Sequence, residues 1–321
     1  MTLSRRRFIT IAALGALAPA AAHALGAGGG VAQGAVGQGG APVTDWRGIA
    51  LGAEARLILA HPDADRLVAA ALDELARLER IFSLYRTDSE LARLNREGAL
   101  SAPSTEMVEL LTLAGVVHGA TEGAFDPTVQ PVWAAHATAA AAGRAVTDAE
   151  RRAALALTGW EGVEVTPARV ALARPGMALT LNGIAQGFIT DRVAARLGAL
   201  GLTDVLCEMG EITARGAAPE GGPWPVQLSN GRALPLSGRA VASSAPRATV
   251  FDPEGRLGHI IDPRSGLPSG QALSLVSVSA PSAALADALS TAGCLLGPEG
   301  LARAVAGFDG VRIEACDPLP A

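Results

Sequence analysis

Cysteine is nearly absent: Cys207, Cys294 and Cys316 are the three in 321 residues, odd in number and widely spaced. That spacing excludes a disulfide framework and a paired-cysteine zinc pattern, and Cys207 and Cys294 lie in apolar runs where buried thiols are common. Aromatics make up only 3% of the chain, so a core must rest on Leu, Val, Ile and Ala within an apolar fraction of 49%. No basic stripe is present and the net charge is -5, which argues against nucleic acid as a partner. Neither a Gly-Lys-Ser/Thr phosphate loop nor the dinucleotide pattern G-x-G-x-x-G occurs, and no repeat of fixed period is visible.

What is present begins with an address. "SRRRFIT" (Ser4 to Thr10) is followed by the short apolar run "IAALGALAPAAAHA", ending in Ala22-His23-Ala24. Paired arginines, a run short of the ~20 residues a membrane span needs and an A-x-A site read as a twin-arginine signal peptide over residues 1–24. A periplasmic protein, exported already folded, is expected. Residues 25–44, glycine-rich through Pro42, lack side chains to bury and are expected to be a flexible tether. Residues 45–321 are expected to form the folded domain, a length sufficient for a sizeable core.

Within it, "GIALGAEARLILA" reads as a strand pair. Leu67, Ala71, Leu75, Leu78 and Phe82 recur at helical spacing after Pro62-Asp63. Thr87 with Glu90 and Thr147 with Glu150 are two Ser/Thr-x-x-Glu capping boxes. From Gly162 onward, short alternating runs bounded by Gly and Pro ("GVEVT", "ARVALA", "MALTLN", "DVLCEMG", "EITARG", "PWPVQLS", "RAVASS", "LSLVSVSA") predict strands. A helix over Ile184 to Leu197, closed by Gly198, interrupts them, as does a late one containing "ALADALSTAGC". Helices first and a sheet-rich half afterwards predict an α+β fold.

That late helix poses a question, because Asp287 lies amid Ala284, Leu285, Ala288, Leu289 and Ala292, with Thr291 one turn on. A buried, unpaired carboxylate is costly, so Asp287 needs water, a donor, a cation or a metal. Four stretches carry polar residues that fold construction does not demand. They are "FSLYRTDSELARLN" (82–95), "GAFDPTVQPVW" (123–133), "LNGIAQGFITDRVAARL" (181–197), and "GHIIDPRSGLP" (258–268) together with "ADALST". The third is a glycine-flanked turn into a helix, which presents N–H groups to an anion such as a pyrophosphate. Hard oxygens of Asp287 and Thr291 on one helix face suit magnesium, which would bridge to it.

In order and wording these stretches resemble the ApbE family of FAD:protein FMN transferases, whose patterns "FS.Y...SELSRLN", "GAFD.TV.P", "GIAKGYAVDR", "SHIIDPRTG.P" and "ADALAT" are matched over about Leu51 to Gly297. The resemblance implies an ApbE-like, T-fold-related architecture of mixed sheets flanked by helices. It also implies Mg2+-dependent transfer of FMN from FAD, the substrate, to a Thr or Ser of an acceptor flavoprotein with an FMN-binding domain, releasing AMP. By motif position it makes Asp287, Thr291 and the Gly183 carbonyl the metal ligands, with Ser290 a further ligand or a lining residue. His259 takes the acceptor's proton, binds a phosphate, or caps the "IIDP" turn; Asp262 orients that turn. Ala124, Phe125, Asp126 and the Ile260 backbone fall in cofactor-binding segments, Asp126 as an acceptor for the adenine or flavin, and Phe125 equally as core. Thr180, Asn182 and Gln186 occupy cofactor-binding positions but depart from the acidic residue, Gly, and Lys or Glu of many relatives. Glu211 replaces an Asp in "MGEIT". An FAD-binding carrier without turnover and an FAD pyrophosphatase are the alternative functions.

Overall fold

Alternating apolar residues organise the molecule around one antiparallel sheet. The computed structural model describes residues 31–36, 41–50 and 53–319. The chain opens with three strands, β1 (Val31–Val36), β2 (Pro42–Ala50) and β3 (Ala53–Ala60), followed by helices α1 (Ala64–Phe82) and α2 (Glu90–Glu97). Next come β4 (Ala99–Ser101), α3 (Thr105–Ala120), α4 (Gln130–Ala141) and α5 (Asp148–Leu155). Strands β5 (Val163–Val165) and β6 (Arg169–Leu172) lead to α6 (Ala185–Ala199), β7 (Val205–Glu208) and β8 (Ile212–Arg215). The remainder is β9 (Trp224–Gln227), β10 (Ala233–Leu236), β11 (Arg239–Ser244), β12 (Ile261–Asp262), β13 (Leu267–Pro268), β14 (Leu273–Ala280), α7 (Ala283–Val305) and β15 (Arg312–Pro318).

The main sheet has the order β1-β2-β3-β7-β8-β11-β14-β15 and every neighbouring pair is antiparallel. Period-two alternation gives it two faces. Leu57, Leu59, Val205, Cys207, Val276 and Val278 join the main core with helices α1, α6 and α7. Leu206, Val241 and Leu275 point the other way, against Trp224, Val226 and Leu236 of the β9–β10 hairpin. A second small sheet, β4-β6-β5, and the α4–α5 pair lie outside this layer. This is the expected α+β arrangement.

Several local expectations change. Val31–Val36 pairs with β2, so part of the glycine-rich segment expected as a tether is strand, and the fold begins before Asp45. The signal peptide lies outside the described residues. Thr147 and Glu150 form their reciprocal cap, but Thr87 and Glu90 do not. Ser89 is the N-cap of α2, its hydroxyl accepting from Ala92 N and donating to Ser83 O, while Glu90 turns to the Ser104 amide and hydroxyl at the start of α3. Gly198 lies inside α6, and the left-handed residue after its end is Gly201, at φ 94°. Helix α7 is broken at Gly297, whose φ of 70° is open to glycine, just before Pro298.

"MALTLN" is no strand. It has no sheet partner, and Asn95 supplies the pairing: Leu179 N donates to Asn95 Oδ1 at 2.7 Å and Asn95 Nδ2 donates to Leu179 O at 2.9 Å. One side-chain amide thereby replaces a strand edge for the segment that leads to Gly183. Asn95→Ala is expected to cost ~2 kcal/mol in urea unfolding, from two lost bonds and two stranded backbone groups. Asn95→Asp, which cannot donate to Leu179 O, should cost at least as much; full stability of the Asp variant would show that this amide is not the anchor.

Candidate active site

The crossing of α6 and α7 carries Gln186, Asp287 and Thr291, with Gly183 at the turn that enters α6. A β-carbon on Gly187 would collide with Ala283 O and lie 2.7 Å from Ala284 N, so only glycine lets the helices approach this closely. At that crossing Gly187 N donates to Asp287 Oδ2 at 3.2 Å. Asp287 is 4% exposed, and among the described residues this N–H is its one donor, with no cation paired to it. Burial, reinforced by the nearby Asp191 charge and only partly relieved by Gly187, pushes its pKa up to about 7. Arg264, the arginine of the "GHIIDPRSGLP" stretch, does not neutralise Asp287, being bidentate to Asp262 at 2.9 and 2.8 Å.

One turn along α7, Thr291 faces the turn that enters α6: a β-carbon on Gly183 would sit 3.0 Å from Thr291 Oγ1. Ser244, at the end of β11, reaches Ser290 Oγ at 2.7 Å and Thr291 Oγ1 at 3.4 Å, and Ser290 donates to Asp287 O at 3.0 Å. Ser290 is thus fully buried within protein hydrogen bonds, as a lining residue. Gln186 packs its side chain against Gly210 of the "MGEIT" turn, whose Glu211 accepts from Ser243 N. Thr180 N donates to Pro127 O, and Thr180 Oγ1 accepts from Asn182 N at 3.3 Å, which ties the turn to the "GAFDP" segment. Asn182 itself is exposed.

In that segment Ala124 and Phe125 are core residues, 2% and 5% exposed. Asp126 Oδ1 accepts from Thr128 N and Oγ1 at 2.8 and 2.6 Å, while Oδ2 lies 3.8 Å from His118 Nδ1. Burial raises the Asp126 pKa against those bonds. Asp126 borders an open cleft of about 280 Å³ with His118, Gly123, Thr158 and Arg264. A larger groove of about 370 Å³ over the small sheet contains none of the expected residues, so volume does not mark this site.

His259 sits on the loop after Ser244. Its Nδ1 faces Thr249 O at 3.2 Å and must carry the proton there. Burial lowers its pKa, against the carbonyls of Thr249 and Pro246, so the ring is neutral at pH 7. Ile260 is buried, and its carbonyl already accepts from Ser269 N at 2.9 Å. Asp262 orients the turn as expected, taking Arg264 N at 2.9 Å. Sequence reasoning missed Ser244, read only as a strand residue, and His118; it quoted Asp191 inside a motif without giving it work.

An antiparallel sheet packed against two crossing helices presents an under-partnered carboxylate beside a glycine turn. Residues 51–313 match the ApbE family, to which this chain belongs. The chain is 32% identical over 243 residues to the FAD:protein FMN transferase of Haemophilus influenzae, covering 68% of each. It is also 32% identical over 252 residues to that of Vibrio cholerae, covering 74% of this chain and 73% of the relative. Among solved structures it resembles the flavin transferase ApbE from Vibrio cholerae (TM-score 0.73, 26% identity, 85% of this chain and 93% of that one). The apo flavinyl transferase ApbE of Pseudomonas stutzeri is similar (TM-score 0.73, 29% identity, 82% and 87%).

Proposed function

We propose that this chain is an FAD:protein FMN transferase that moves FMN from FAD onto a Thr or Ser hydroxyl of an acceptor flavoprotein carrying an FMN-binding domain. In the step, the acceptor oxygen forms a bond to the FMN phosphorus, the pyrophosphate P–O bond breaks, and AMP leaves with the bridging oxygen. The observation that carries this reading is Asp287, a buried carboxylate with a single N–H partner among the described residues in a chain of this family.

Among the described residues no cluster of three or more His, Cys, Asp or Glu could hold a metal. The fit to magnesium rests instead on one carboxylate with an unpartnered oxygen, the Thr291 hydroxyl and the Gly183 carbonyl. Bound there, Mg2+ would neutralise charge developing on the phosphate oxygens. Asp287 and Thr291 would hold it, while at the start of α6 the amides of Ala185, Gly187 and Phe188 are already bonded to Leu181 O, Asp287 Oδ2 and Ile184 O. His259, neutral and with its proton fixed on Nδ1, is the proposed acceptor of the hydroxyl proton. Asp126, which borders the cleft, is the proposed acceptor for a donor of the adenine or flavin, while Thr180, Asn182 and Gln186 line the approach.

Incubation with FAD, Mg2+ and candidate FMN-binding domains should place in-gel flavin fluorescence on one acceptor and release AMP in equal amount. AMP without an acceptor would mean a pyrophosphatase, and tight FAD binding with neither product a carrier. Because the site is proposed to grip a pyrophosphate, FAD should bind more tightly than FMN or riboflavin, and more so with Mg2+; equal affinity for FAD and FMN in a fluorescence titration would reject that grip. We further propose periplasmic delivery by the twin-arginine route, supported by Arg5, Arg6 and the short apolar run after them. Arg5→Lys with Arg6→Lys should retain precursor in the cytoplasm, and undiminished periplasmic protein on cell fractionation would exclude that route.

A further inference from the structure

We propose that Asp191 is a positioning residue for the cation site, capping the N-terminus of α7 from the side of α6 so that Asp287 is held in register against Gly187. The inference rests on the reading of Asp287 as a cation ligand. Asp191 lies one helical turn after Gly187, on the same face of α6, and Ala283 lies one turn before Asp287 on α7. Two rungs therefore join the helices. In one, Gly187 N on α6 donates to Asp287 on α7. In the other, Ala283 N and Ala284 N on α7 donate to Asp191 Oδ1 and Oδ2 at 2.9 and 3.0 Å. Each helix takes an acid from one turn inside the other to satisfy amides of its own first turn, which have no partner within their own helix.

The two carboxylates are unequal, and the inequality separates their roles. Asp191 also accepts from Thr213 Oγ1 on β8 at 3.1 Å, so it has three donors from two other elements. Asp287 has one. A carboxylate spent on three donors is a poor cation ligand; the one with a free oxygen is the ligand. Nor is Asp191 needed merely to cap α7 locally, since Ser282 already does so, accepting from Leu285 N at 3.2 Å. A serine cap belongs to its own helix and moves with it, whereas Asp191 fixes where that helix begins relative to α6 and β8. Its charge also lies close enough to act on Asp287, which adds to the attraction for a cation.

The test uses the full chain with Mn2+ as the probe, read by electron paramagnetic resonance, together with amide hydrogen exchange. Asp191→Asn is expected to raise the Mn2+ dissociation constant ~tenfold, as loss of a residue supporting a metal ligand does. The Ala283 and Ala284 amides should exchange ~tenfold faster as that end of α7 loosens. Transfer should show a raised half-saturating Mg2+ concentration with kcat largely restored at high Mg2+. A lower melting temperature with wild-type Mn2+ affinity would mean that Asp191 is only structural, and overturns the proposal. If Asp191→Asn does not fold, Thr213→Val removes one donor while keeping the charge. It should weaken Mn2+ binding ~twofold to fivefold, and unchanged affinity there overturns the proposal equally. Should wild-type protein bind no Mn2+, or Asp287→Asn bind it as wild type does, the cation reading itself fails; the exchange measurement then decides the positioning role alone, and unchanged exchange ends it.

Discussion

Asp287→Asn is expected to abolish FMN transfer while raising the melting temperature of the metal-free protein at pH 8. The two effects have one cause. Asparagine keeps the shape and an oxygen for the Gly187 amide, but loses the charge that attracts a divalent cation. In metal-free wild type that charge is a burden: burial lifts the carboxyl from 3.8 to about 7. The folded state therefore binds a proton that the unfolded chain has released, and the penalty for ionisation grows from about pH 4 to about pH 7 and is complete above that. It amounts to ~4 kcal/mol at most, offset in the variant by an amide N–H2 group that lacks an acceptor, at ~1 to 3 kcal/mol. Below pH 4 the variant should gain nothing. Thermal unfolding at pH 4 and pH 8, with and without Mg2+, provides the check; Mg2+ should raise the wild-type melting temperature and leave the variant's unchanged. A folded Asp287→Asn protein with full transfer activity would remove Asp287 from the cation site.

Gly187→Ala should be among the most damaging single-methyl additions in the chain. Alanine ordinarily favours a helix over glycine by ~1 kcal/mol. Here its β-carbon meets main-chain atoms of Ala283 and Ala284, which cannot rotate aside. The helices must part, stretching both the Gly187–Asp287 and the Asp191–Ala283 rungs, at an expected cost of upwards of ~3 kcal/mol in urea unfolding. Gly119→Ala in α3 is the control, because nothing lies within 4 Å of a β-carbon there. That variant should be neutral or slightly more stable. Equal behaviour of the two variants would mean that the close approach of α6 and α7 is not rigid.

The ordered motifs made the family legible before any coordinates and singled out the candidate site residues, because each motif couples a turn residue to a polar group at fixed local spacing. Asp287 and Thr291 share a helix face by periodicity alone, and Leu67, Ala71, Leu75, Leu78 and Phe82 announced a helix whose buried side is now observed. Where two local signals competed, the reading failed. Ser89 displaced Thr87 as a cap because Ser83 O and Ala92 N lay in reach. "MALTLN" has the alternation of a strand but meets Asn95, 84 positions away for Leu179, in place of a neighbouring strand.

What the sequence by itself determined is several of the elements, the α+β class, and the polar residues that no core requires, since periodicity, caps and turn residues act within a few positions of one another. Only the tertiary structure decided which partners those residues have. Arg264 was free on paper to neutralise Asp287, and the fold spends it on Asp262. Asp191 and Asp287, 96 positions apart as 287 minus 191, look equivalent in the sequence. Three donors reach one and a single donor reaches the other, because two helices cross where a glycine lets their backbones touch. Burial and donor count are properties of that crossing, and they determine whether a carboxylate holds a helix in place or stays open to a cation.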